Sequence, residues 1–87
     1  MKFTVVGKPN AVDALASIWM AATDRKAVTD AANRIDHLLG TLPSDVGESR
    51  VANIRFLNES PLAIYYDVFE DDRRVAVWAV WQVVRER

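Results

Sequence analysis

The chain has no cysteine, which removes disulfides, thiolate metal sites and cysteine nucleophiles together. It has a single histidine, and three glycines and three prolines are too few for a linker or low-complexity tract. Long hydrophobic runs are missing as well. Nothing approaches the roughly 18 apolar residues of a membrane span, and the stretch after Met1-Lys2 is shorter than a signal-peptide core of about 7 to 15 residues. A cytoplasmic protein without membrane contact is the expectation. Neither sign of charge dominates: 11 Lys and Arg against 12 Asp and Glu give a net charge of −1 and a pI near 5.7. No overall field draws the chain to nucleic acid, so any such role must rest on a local patch.

What is present is 51% hydrophobic, apolar enough to fold. Residues 1–87 suit one small domain that buries only about 60–65% of its unfolded surface, so its stability is modest unless a partner adds to it. Lys2 to Val6 read as a short strand closed by Gly7-Lys8-Pro9. Asn10 as N-cap, with Asp13 three residues on, starts a helix whose apolar positions Val12, Leu15, Ile18, Trp19 and Ala22 recur at helical spacing. Few positions on it are polar, so it should be covered on several sides. Thr23-Asp24 breaks the chain before a second helix, Arg25 to Leu39, with the stripe Val28, Ala31, Ala32, Ile35, Leu38 and Leu39 and with Gly40 as its stop. So short a break predicts an antiparallel helical hairpin.

Thr41 to Ser49 read as a polar loop, and beyond it the period changes to two. Strands are predicted over Val51 to Asn58, Leu62 to Phe69 and Arg74 to Val84, joined by the loops Asn58-Glu59-Ser60-Pro61 and Glu70-Asp71-Asp72-Arg73. The expected architecture is α+β, in the order β-α-α-β-β-β, with the helical hairpin packed on an antiparallel sheet. The last strand is apolar on both faces, with Trp78 on one and Trp81 on the other. Two helices cover one face only, so the second is either curled over by loops or left open for another chain.

Several segments agree in one order with a known family. They are Asp13 to Trp19, Ala31 to Leu39, Leu42-Pro43, Gly47-Glu48-Ser49-Arg50, Pro61 to Val68 and Val75 to Val80. Together they span nearly the whole chain, and it resembles the RelE/ParE toxins of type II toxin–antitoxin, plasmid-stabilisation systems. The resemblance implies a cognate antitoxin that wraps the toxin. It also implies one of two targets: mRNA on the ribosome, cut by an endonuclease (an mRNA interferase), or DNA gyrase, inhibited without catalysis. A catalytically silent peptide-binding scaffold is the reading from another class. No cofactor or metal is implied.

RelE-like nucleases use basic groups on the sheet with a tyrosine or histidine near the C-terminus, because 2′-OH activation, charge at phosphorus and a leaving 5′-oxygen call for cations and a proton shuttle. The resemblance makes Arg55 the catalytic candidate, and Arg50, Arg55, Arg85 and Arg87 the nucleic-acid contacts. The sequence departs from that pattern in two places. The third predicted strand opens Pro61-Leu62-Ala63 where such nucleases often carry an arginine, and Gln82 to Arg87 hold neither tyrosine nor histidine. Trp78 and Trp81 are the partner-binding candidates, since tryptophan is enriched in binding hot spots. Trp19 reads as core. His37, near a helix end, suits the helix dipole.

Overall fold

The computed structural model describes residues 2–41, 43–49 and 54–83. Strand β1, Thr4–Gly7, leads into helix α1, Pro9–Ala21, and helix α2, Arg25–Thr41. Strands β2, Glu48–Ser49, β3, Ile54–Glu59, β4, Leu62–Phe69, and β5, Arg74–Gln82, complete a sheet of order β1-β5-β4-β3-β2.

The sheet is mixed. β2 to β5 pair antiparallel, whereas β1 lies parallel to β5 with Thr4 opposite Arg74 and Gly7 opposite Val77. Short loops impose antiparallel pairing only on the strands they join. β1 and β5 are joined by the rest of the chain, so the expectation of a wholly antiparallel sheet fails at this one pair. The strand at Glu48–Ser49 likewise replaces the end of the predicted polar loop. Residues 51–53 of the predicted second strand and Val84 of the last lie outside the described residues.

Helix α1 begins one residue earlier than its predicted cap. Pro9 occupies the first turn and Lys8 is the N-cap without a side-chain bond, because proline suits N1, where no N–H is needed. Asn10 and Asp13 therefore sit inside the helix. Its core stripe is Ala11, Leu15, Ile18 and Ala22, while Val12 and Trp19 are 55% and 41% exposed. The break before α2 is as predicted: Asp24 accepts from the backbone N–H of Ala27 at 3.0 Å. Arg25 completes the corner by donating to the carbonyls of Trp19 and Met20 at 3.2 and 3.0 Å, a cation on α1's negative end. α2 runs through Gly40 to Thr41, since Phe3 of the β1 segment donates to the Gly40 carbonyl and Thr41 Oγ1 to that of His37.

Both helices lie on one face of the sheet. Val28, Ala31, Ile35 and Leu39 of α2 and Ala11 of α1 pack on Leu57, Leu62, Ile64, Tyr66, Val75 and Val77. Arg34 pins α2 to the β3–β4 loop through Glu59 at 2.8 Å and the Ser60 carbonyl at 3.1 Å. No helix among the described residues is long and apolar enough to cross a membrane.

Candidate functional site

The second sheet face is open, and a bulge determines what it shows. Tyr65 pairs with Ala79 but Tyr66 with Val77, so β5 carries one residue more than β4 at Trp78. An extra residue shifts the alternation of faces along the strand. Val75, Val77 and Val80 consequently face the helices, while Trp78 and Trp81 both stand on the other side instead of on opposite faces. Trp81 stacks on Phe56 with ring centroids 5.8 Å apart and meets Tyr65 at 5.1 Å. Phe56 and Tyr65 also touch, at 5.7 Å. Trp78 donates its indole N–H to Asp67 Oδ2 at 2.5 Å and carries Lys8 Nζ 5.0 Å above its ring. With Tyr65 38% and Trp78 48% exposed, the face is an aromatic strip open to solvent.

Arg55 is placed elsewhere. It pairs with Tyr66 across β3 and β4 and so lies on the helix side, at the sheet's rim. Its guanidinium donates to the Val46 carbonyl at 3.2 and 3.0 Å and to that of Gly47 at 3.4 Å. Tyr66, fully buried, has its hydroxyl 2.9 Å from the carbonyls of both Pro43 and Val46, which share its single proton. Burial pushes the Tyr66 phenol up from its ordinary value, opposed in part by the hydrogen bond and positive charge of Arg55. The pair anchors the 43–47 loop. Arg50, Arg85 and Arg87 lie outside the described residues. Arg74 rests over the Phe69 ring at 5.0 Å, and Arg73 occupies the β4–β5 turn with a φ of 51°.

A third feature escaped the sequence. Between the helices lies a mainly apolar groove of about 480 Å³ lined by Leu15, Trp19 and Met20 of α1 and Val28 and Ala32 of α2, with Thr29 and Asn33 at its polar side. Leu15 and Ala32 also border a second cavity of about 200 Å³ that descends to Ile64 and Val77 of the core. Trp19, expected inside, lines the groove's mouth: its indole donates to Thr29 at 3.1 Å and Arg25 lies 4.7 Å over its ring. Met20 is 68% exposed. The clue available in the sequence was an α1 apolar on nearly every side. His37 is exposed and sits by the outer end of α2. Among the described residues, no group of three or more His, Asp or Glu is arranged to hold a metal ion.

No family model and no curated protein matches this sequence. Solved structures do match. The RelBE toxin–antitoxin complex from Mycobacterium tuberculosis aligns at 15% identity over 94% of this chain and 92% of that one, with a TM-score of 0.76. The chromosomal ParDE system from P. aeruginosa aligns at 17% identity over 95% and 98%, TM-score 0.73. The isolated E. coli RelE toxin aligns at 12% identity over 98% and 88%, TM-score 0.67. Two helices on one face of a five-stranded mixed sheet, matched along nearly their full length by both kinds of toxin, give this chain the RelE/ParE fold.

Proposed function

We propose that this chain is the toxin of a type II toxin–antitoxin pair and that it acts by binding a protein target, in the gyrase-inhibiting mode. The observation that carries the toxin reading is the whole-chain correspondence to RelE and ParE proteins, at TM-scores of 0.64 to 0.76. Several of those neighbours are complexes with an antitoxin. The interhelical groove gives such a partner a seat here. Its walls are neutral and mainly apolar, and the apolar stripe of an amphipathic helix fills that kind of surface. A small domain, which buries a smaller share of its surface than a large one, gains stability from such a partner.

The open sheet face supports this mode of action. Cleavage of RNA calls for clustered cations and a proton shuttle, whereas this face presents the cluster of Phe56, Tyr65 and Trp81 and, beside it, Trp78 bonded to Asp67. Aromatic side chains with few charges among them are the composition of a protein-binding hot spot. The ribosome-dependent mRNA endonuclease is the competing reading, favoured by Arg55 standing beside a tyrosine hydroxyl. That hydroxyl, however, is buried and raised in pKa, and its proton is committed to loop carbonyls. Induction in cells without antitoxin, with DNA synthesis and protein synthesis measured separately, tests the choice. Growth arrest with DNA synthesis failing first is the expected result; an early collapse of protein synthesis with cleaved mRNA would restore the endonuclease, and no arrest would leave a silent scaffold.

A further inference from the structure

Asp67 is the buried charged side chain of the described residues, 8% exposed, and it stands on the open face of the sheet. Oδ2 accepts the Trp78 indole N–H, while Oδ1 has no hydrogen-bond partner. An unpaired carboxylate oxygen out of water is costly, and native structures pair such atoms with few exceptions. The nearby cation is Lys8, whose ammonium is held over the Trp78 ring and makes no ion pair among the described residues. An acceptor beside an aromatic ring favours a cationic donor, since the ring face and the carboxylate attract the same charge.

From this charge complementarity we infer that the open sheet face captures an arginine side chain of a polypeptide partner, its guanidinium stacked beside Trp78 and Tyr65 and donating to Asp67 Oδ1. The inference rests on the reading of that face as the target-facing surface and names what the target presents. A guanidinium suits the place better than an ammonium because it is planar, weakly hydrated and rich in donors, so it stacks and hydrogen-bonds at once. Oδ1 is covered in the free chain, so seating the guest moves the half-exposed Trp78 ring and releases Lys8 from it. A phosphodiester backbone brings the opposite charge and would be repelled by Asp67.

The test uses the full chain and two capped tripeptides, leucine–arginine–leucine and the same peptide with neutral citrulline in place of arginine. The Trp78 indole N–H resonance, assigned through Trp78→Phe, is followed by NMR during titration. A saturable shift with the arginine peptide is expected, with the citrulline peptide about tenfold weaker or worse, the scale of one lost charge-assisted hydrogen bond. In Asp67→Asn the two peptides should bind alike; if that variant does not fold, the comparison on the unaltered chain decides alone. Equal binding of both peptides, or a Trp78 resonance that neither moves, overturns the inference. So does a shift produced by a uridine oligonucleotide and not by the arginine peptide. Growth arrest is scored separately: arginine selectivity without arrest removes the toxin reading and keeps the site, and arrest without selectivity does the reverse.

Discussion

At the scale of single residues, the 43–47 loop before β2 depends on one glycine, Gly47, and on two side chains, Tyr66 and Arg55. Gly47 has a φ of 71°, and a Cβ there would collide with the Phe56 carbonyl oxygen and come within 3.0 Å of the Tyr66 hydroxyl. Gly47→Ala should therefore cost about 2 kcal/mol, combining left-handed strain with the clash, and lower the thermal midpoint accordingly. Tyr66 supplies a pH signature. Its phenol is raised above the usual 10.0 chiefly by burial, so the folded state prefers the protonated ring. Below pH 10.0 both states hold that proton and the preference costs nothing. Above that, the unfolded chain ionises first, and the stability due to the neutral buried ring is lost as pH climbs toward the folded value. Denaturant unfolding between neutral and strongly alkaline pH should show this fall, and Tyr66→Phe should remove it while costing about 1 kcal/mol at neutral pH for the lost hydrogen bonds. Arg55 belongs to the same loop. Arg55→Ala should destabilise by about 1.5 kcal/mol or more, so a loss of activity in that variant speaks for RNA contact only where folding is intact.

At the scale of elements, what was legible in the sequence follows from local rules, and what was not depends on partners far along the chain. The stripe Val28 to Leu39 and the cap at Asp24 were readable because helical spacing and capping are decided within a turn or two. The inward set Ile64, Tyr66 and Val68 was readable because β4 keeps a period of two across its length. In the α1 stripe Leu15, Ile18 and Ala22 were readable, but Ala11 replaces Val12 and Trp19 turns outward, since a helix apolar nearly all round gives little contrast from which to choose its buried side. The bulge at Trp78 was invisible for a different reason: Val75 to Val84 has no polar residue before Gln82 to mark a change of face. The candidate site suffered most from that. It moved both tryptophans to one side, and Arg55, expected on a nucleic-acid surface, was drawn to carbonyls that only the folded loop presents. The helical corner offers a check on the legible part. Asp24→Ala removes the α2 cap and should cost about 1 kcal/mol, and Arg25→Ala, which strips both carbonyl bonds from the end of α1, should cost a similar amount; thermal unfolding of each variant measures it.

At the scale of the whole molecule, the sheet separates two apolar surfaces that lie on opposite sides of the fold. The groove between α1 and α2 opens on the helix side, and the aromatic strip occupies the far side of the sheet. If the groove seats the antitoxin and the strip meets the target, the two activities should be separable by single substitutions at exposed positions that leave the core untouched. Met20→Glu puts a charge into the apolar groove, where an uncompensated carboxylate is strongly disfavoured against an apolar helix. It should weaken antitoxin binding at least about 30-fold, the scale of a hot-spot loss of 2 kcal/mol or more, while growth arrest by the free chain is retained. Trp78→Ala should do the opposite, abolishing arrest while antitoxin affinity changes little; because it also removes the indole donor from the buried Asp67 carboxylate, it should cost about 1–3 kcal/mol of stability, and arrest is scored at a temperature where the variant is folded. The measurement is paired: growth arrest on induction alone, and antitoxin affinity by calorimetry with the purified chain. Wrapping of the toxin by a longer antitoxin segment that also covers the sheet would couple the two surfaces, and Trp78→Ala would then lose both arrest and neutralisation. Arrest surviving Trp78→Ala intact would take the target off the sheet face altogether.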